Sequence, residues 1–169
     1  MKIQFMVIKK YRAFTLIELL VVVAIIGILA AVGVVAYNGY TGAAKEKAAK
    51  ANHSIVMKYI IAENSKCELG ELTVMDGNLT CSGRTTAKIL KALDKTLKEK
   101  IKNPFDNNIP GVCGNAAPCG STYNYGSNNS VGVVVVGDDA DKFIRIGTCY
   151  KVNACSKDKY IENYFQILD

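Results

Sequence analysis

Phe14-Thr15-Leu16-Ile17-Glu18-Leu19-Leu20-Val21-Val22-Val23-Ala24-Ile25-Ile26-Gly27-Ile28-Leu29-Ala30-Ala31 is the stretch that decides the fold. From Leu19 to Ala36, eighteen consecutive residues carry neither a charge nor a polar side chain. As a helix rising about 1.5 Å per residue they span roughly 27 Å, close to the hydrocarbon thickness of a bilayer. Glu18 is the one ionisable residue in this segment, and a charge at mid-membrane costs about 2.5–3.5 kcal/mol on insertion scales. Upstream, residues 1–13 hold Lys2, Lys9, Lys10 and Arg12 with no acid among them. Such a flank stays cytoplasmic and sends the C-terminal side across the membrane. A cleaved secretory signal fits less well. The apolar run is too long for an h-region, and no small-x-small site followed by a loop closes it.

Helical patterning continues beyond the apolar run. Ala44, Ala48, Ala51, Ile55, Tyr59 and Ala62 recur at three- and four-residue steps, and Lys45, Glu46, Lys47, Lys50 and Lys58 fill much of the remainder. This spacing predicts one helix from Phe14 to about Asn64, apolar all round at first and then amphipathic. Beyond Ser65 the pattern breaks at Gly70, Asp76-Gly77 and Ser82-Gly83. Thr85 or Thr86 is placed to cap a second helix, near 86–102, with Ile89, Leu90, Leu93, Leu97 and Ile101 inward and Asn103-Pro104 as its stop. Pro104 to Ser130 reads as loop. Val131–Val136, Lys142–Tyr150 and Tyr160–Leu168 read as strands, with Gly137–Asp141 as a turn. The expected class is α+β, a long N-terminal helix packed on a small antiparallel β-sheet. Its parts are a leader (1–13), an apolar helix (14–37), the amphipathic half of that helix (38–64), a disulfide-bearing αβ-loop (65–130) and a sheet with a C-terminal disulfide loop (131–169).

All six cysteines, Cys67, Cys81, Cys113, Cys119, Cys149 and Cys155, lie beyond the apolar segment. An even set in a small, loop-rich region predicts disulfides in an oxidising compartment. Six cysteines allow fifteen connectivities; spacing favours near neighbours, Cys67–Cys81, Cys113–Cys119 and Cys149–Cys155. Zinc would need closer ligand pairs, and the only histidine, His53, is far upstream. Asp138, Asp139 and Asp141 form a weak candidate calcium site, since clustered acids in a turn are more often solvated. Tyr123, Tyr125, Tyr150, Tyr160 and Tyr164, near lysines, suggest stacking on bases of captured DNA, although strand tyrosines more often fill a core or an interface. The net charge of +6 falls to +2 without residues 1–13, which weakens a general polyanion-binding reading. With no nucleophile motif and no phosphate loop, the sequence indicates a non-enzyme without a cofactor.

Lys9-Lys10-Tyr11-Arg12-Ala13 before Phe14-Thr15-Leu16-Ile17-Glu18-Leu19-Leu20, continuing to Tyr37 and Tyr40, strongly resembles the class III signal of type IV prepilins. The resemblance covers about the first forty residues. It implies cutting between Ala13 and Phe14 by a prepilin peptidase and N-methylation of Phe14. It also implies that Glu18 sets register by neutralising a neighbour's amino terminus. Partners implied are further copies of the chain in a helical filament, minor pilins and an inner-membrane assembly platform, with DNA or a surface open to the finished fibre. The subunit would sit in the inner membrane, N-terminus cytoplasmic, before joining an extracellular fibre for adhesion, twitching motility or DNA uptake. Two departures stand out: Ala13 where the family usually has Gly, and Val35 where many members have a kinking Pro. Two alternatives remain, a type II secretion pseudopilin and an uncleaved single-pass protein displaying a periplasmic binding domain.

Overall fold

Thr15-Leu16-Ile17-Glu18 has the Ser/Thr-x-x-Glu spacing that starts helices, and helix α1 (Leu16–Glu68) begins there. The computed structural model describes residues 14–114, 131–139, 143–151 and 159–167. The chain divides into two units, Met1–Thr41 and Gly42–Asp169. No proline interrupts α1. Its end is set by Gly70, which takes φ +94°. There the Gly70 N–H donates to Cys67 O and the Glu71 N–H to Lys66 O, the paired bonds of a Schellman motif that favours glycine at the left-handed position. The helix therefore runs four residues past the expected Asn64, because Ser65–Glu68 contains nothing that stops it.

In the first unit, the described apolar side chains of α1 have no cover. Phe14 is 82% exposed and Val35 74% exposed, and Leu16, Ile28 and Leu29 are similarly bare.

In the second unit, α1 buries Ala49, His53, Val56, Ile60 and Glu63. This corrects the face expected from sequence. Ala44, Ala51, Ile55 and Ala62 are exposed, and Ala48 and Tyr59 are half-buried. At 100° per residue the two stripes lie about a third of a turn apart. Two polar residues disguised the buried stripe, each admitted to the interior by hydrogen bonds to distant parts of the chain.

Helix α2 (Thr86–Leu97) is capped by Thr85, whose hydroxyl accepts the Lys88 N–H. It buries Ile89, Leu90, Leu93 and Leu97. It ends before the expected 102 in hydrogen-bonded turns, with Lys100 N–H and Ile101 N–H both donating to Leu97 O. These turns bring Ile101 into the core, where it is 8% exposed.

A two-stranded hairpin pairs β1 (Thr73–Val74) with β2 (Leu79–Thr80), inside the stretch expected to be irregular. A four-stranded sheet has the order β3-β4-β5-β6, with β3 Val112–Gly114, β4 Val134–Asp139, β5 Phe143–Cys149 and β6 Tyr160–Gln166. The sheet was expected to be antiparallel, but β3 runs parallel to β4 and only the remaining pairs are antiparallel. β3 comes from a region read as loop, and β4 extends to Asp139 through the expected turn. One core joins Val56 and Ile60 of α1, the apolar face of α2, the hairpin's Val74, Met75 and Leu79, and Val112, Val134, Val136, Ile144 and Ile146 of the sheet.

Candidate functional site

The start of α1 gathers the residues marked by the sequence. Phe14 is exposed, and Ala13 lies outside the described residues. Glu18 Oε2 accepts the Thr15 N–H at 2.8 Å and the Thr15 hydroxyl at 2.7 Å. The Glu18 N–H returns to Thr15 Oγ1 at 3.3 Å. This is a capping box: it satisfies backbone donors that a helix otherwise leaves open, with a carboxylate in the turn where the dipole favours one. The three-residue spacing of Thr15 and Glu18 is present in the sequence, where the charge of Glu18 is the more conspicuous feature. The same helix is long and apolar enough to cross a membrane. Chemically, this region offers an apolar rod surface and one carboxylate at its beginning.

The second unit, Gly42–Asp169, holds the sheet and the disulfides. Cys67 bonds to Cys81 with Cα atoms 5.3 Å apart, tying the last turn of α1 to the chain just after β2. Cys113 and Cys149 are each disulfide-bonded. Their expected partners, Cys119 and Cys155, lie outside the described residues. So do Asp141, Tyr123 and Tyr125, and the side chains of Asp138 and Asp139. Among the described residues, no three or more His, Cys, Asp or Glu side chains gather in a way that could hold a metal. The remaining tyrosines separate: Lys50 Nζ sits 3.9 Å from the Tyr150 ring centre, while Tyr164 is half exposed, with the Arg145 guanidinium 5.8 Å from its ring centre. Arg145 also donates from Nε to Glu162 Oε1.

Two buried polar residues fasten α1 to this body, and sequence reading assigned neither of them a role. His53 Nε2 lies 2.8 Å from Asn163 Oδ1 on β6, and Nδ1 lies 3.0 Å from Thr148 Oγ1 on β5. The amide oxygen only accepts, so Nε2 carries the proton and Nδ1 accepts from the threonine hydroxyl. Burial holds the imidazole below its ordinary 6.5, against a smaller opposing effect of Asn163. Glu63 Oε2 accepts the Met75 N–H at 2.5 Å, and Oε1 takes Lys66 Nζ. Met75 has φ +55° and Asp76 φ +56°, conformations that a side chain such as methionine rarely adopts. Thr96 Oγ1 and Asn78 Nδ2 both donate to Met75 O, so the turn is held from several sides.

Residues 8–34 match the model of the prokaryotic N-terminal methylation motif. No curated protein and no solved structure gave a significant match. The motif belongs to structural, pilin-type subunits, and from residue 16 to residue 34 it coincides with the bare apolar start of α1. The chain carries the prepilin-type N-terminus of type IV pilins and pseudopilins, on an α+β body in which a long helix packs against a small mixed sheet.

Proposed function

We propose that this chain is a structural subunit of a type IV pilus, cut after Ala13, methylated at Phe14 and polymerised through α1. The observation that carries the reading is an apolar helix face left uncovered on every side, led by a single carboxylate. In the bilayer, lipid covers it. Removing Lys2, Lys9, Lys10 and Arg12 frees the helix to exchange lipid for sister helices, since pulling those cations through hydrocarbon is costly. A head-to-tail contact whose operator does not close then gives an open fibre. The exposed stripe Ala44, Ala51, Ile55 and Ala62 supports the same reading, as a contact surface for neighbouring helices on the exported half. Cys113–Cys119 and Cys149–Cys155 are the proposed remaining disulfides. The processing partner is a prepilin peptidase, and the assembly partners are further copies, minor pilins and an inner-membrane platform.

The role given to Glu18 is electrostatic register with a neighbour's amino terminus, reached by exchanging the bond to its own Thr15. Replacing Glu18 with Val tests it: membrane insertion is expected to persist while incorporation into sheared filaments falls steeply. Normal filament yield from Glu18→Val would refute the registry role. Short periplasmic fibres that depend on a type II secretion system would move the subunit to the pseudopilin alternative.

A further inference from the structure

The bonds at the start of α1 also fix where that helix stops. Thr15 O accepts the Leu19 N–H at 3.3 Å. As the acceptor of the first helical bond, Thr15 is the cap residue, and Phe14 stands one residue outside it. A helix continued backwards would need the Glu18 N–H for Phe14 O and the Thr15 N–H for Tyr11 O. Both donors are already taken. The Glu18 N–H goes to Thr15 Oγ1 at 3.3 Å, and the Thr15 N–H goes to Glu18 Oε2 at 2.8 Å. The Thr15 hydroxyl donates to the same carboxylate oxygen at 2.7 Å, which holds its side chain in place.

The sequence just upstream holds no other stop. Lys9-Lys10-Tyr11-Arg12-Ala13-Phe14 contains neither Gly nor Pro. Alanine is the best helix former of all, with Arg and Lys close behind. Local preference before Thr15 therefore favours helix, and the paired side chains of Thr15 and Glu18 oppose it. The position matters because the bond from Ala13 to Phe14 is the one proposed above to be cut, and the methylation motif of residues 8–34 runs across it. Inside a helix the Ala13 carbonyl would be held by the Ile17 N–H. A peptidase needs that carbonyl open to attack and the backbone around it free of such bonds. Hydrolysis adds one water across the amide, leaving a carboxylate on Ala13 and an amine on Phe14.

We propose that Thr15 is a positioning residue for removal of the leader: its cap ends α1 before Phe14 and so presents the Ala13–Phe14 bond outside the helix. The inference rests on the prepilin reading above and adds to it a residue with no role there. Thr15 acts through the backbone it caps and not by touching the peptidase. Serine, with the same hydroxyl, serves in its place; valine, with a similar shape and no hydroxyl, does not. One N-cap commonly shifts the start of a helix by about fivefold. Residue 13 sets how much the cap is needed. Glycine there is about fivefold less helical than alanine, so it opposes continuation without help from Thr15.

The test uses the full chain in non-ionic detergent with a purified prepilin peptidase, following release of residues 1–13 by mass. Thr15→Val is expected to be cut about fivefold more slowly than the wild-type chain, and Thr15→Ser, which keeps the hydroxyl, to retain the wild-type rate. Ala13→Gly is expected to restore most of the loss when combined with Thr15→Val, and to change the chain that keeps Thr15 much less. Backbone carbon shifts of Phe14 are expected to move toward helical values in the Thr15→Val chain alone. Cutting of Thr15→Val at the wild-type rate would overturn the proposal. So would an equal gain from Ala13→Gly with and without the hydroxyl, which would make Thr15 a side chain that the enzyme reads directly. A wild-type chain left intact, while the same enzyme cuts another prepilin beside it, would sink the prepilin reading and this inference together.

Discussion

Residues 16–41 and residues 42–68 belong to one uninterrupted α-helix, yet the two stretches meet opposite fates in the folded chain. Ile28 is 67% exposed and Ile60 is 1% exposed, although both are isoleucines in regular helix. The first stretch has no cover among the described residues of the subunit; the second has one stripe covered and leaves another bare. Helix geometry is the same in both. What differs is the environment: the second stretch meets the subunit's own core, and the first, on the function proposed above, is built for lipid and sister helices. The same division applies to the carboxylates. Glu18 closes a local cap, whereas Glu63 is buried and binds a backbone N–H twelve residues away.

The largest expected effect sets these isoleucines against each other. Ile60→Ala is expected to lower the stability of the second unit by about 2–5 kcal/mol, read by urea unfolding of the detergent-held chain with tyrosine near-UV dichroism. Ile28→Ala is expected to shift the same transition by less than about 0.5 kcal/mol. Equal losses would erase the distinction between the two stretches. Next, replacing both Cys67 and Cys81 with Ser removes a ring whose closure is worth about 3 kcal/mol in the chain-entropy model, and the same unfolding curve reports it. Glu63→Ala strands the buried Met75 N–H and is expected to cost about 1–3 kcal/mol. Glu18→Ala is expected to leave that transition where it is and to show its loss in filament yield alone.

The smallest effect is a pH dependence at the joint between α1 and the sheet. His53 is held neutral by burial, below its ordinary 6.5. The unfolded ring takes up a proton below about 6.5 while the native ring resists it. Stability is therefore full above that pH and declines as the pH falls, until the native ring itself titrates. The slope from this one group is at most about 1.4 kcal/mol per pH unit. His53→Gln is expected to flatten this decline below about pH 6.5, measured as denaturation midpoints across pH. An unchanged profile would remove His53 as its source.

Legibility in the sequence followed the range of the interactions. The apolar helix, its leader and the methylation motif were plain because they are consecutive residues, and α2 was plain because five apolar residues keep its period over thirteen positions. The covered face of α1 was misread, since Ala44 to Ala62 forms the cleaner apolar stripe. His53 and Glu63 become interior residues only through Thr148, Asn163 and Met75, and the first two of these lie 95 and 110 residues away from His53. No local period records such partners. β1 and β2 have two residues each and β3 has three, too few for alternation to declare itself. The bond of Glu18 to Thr15 was visible as spacing and was overlooked beside its charge.

The most direct test of the account is the intact mass of this chain in filaments sheared from cells, set beside its mass in the membrane. The account predicts a filament chain that begins at Phe14, carries one added N-methyl group and has no free thiol. A chain that keeps Met1 through Ala13 and is recovered only as a single copy in the membrane would contradict it.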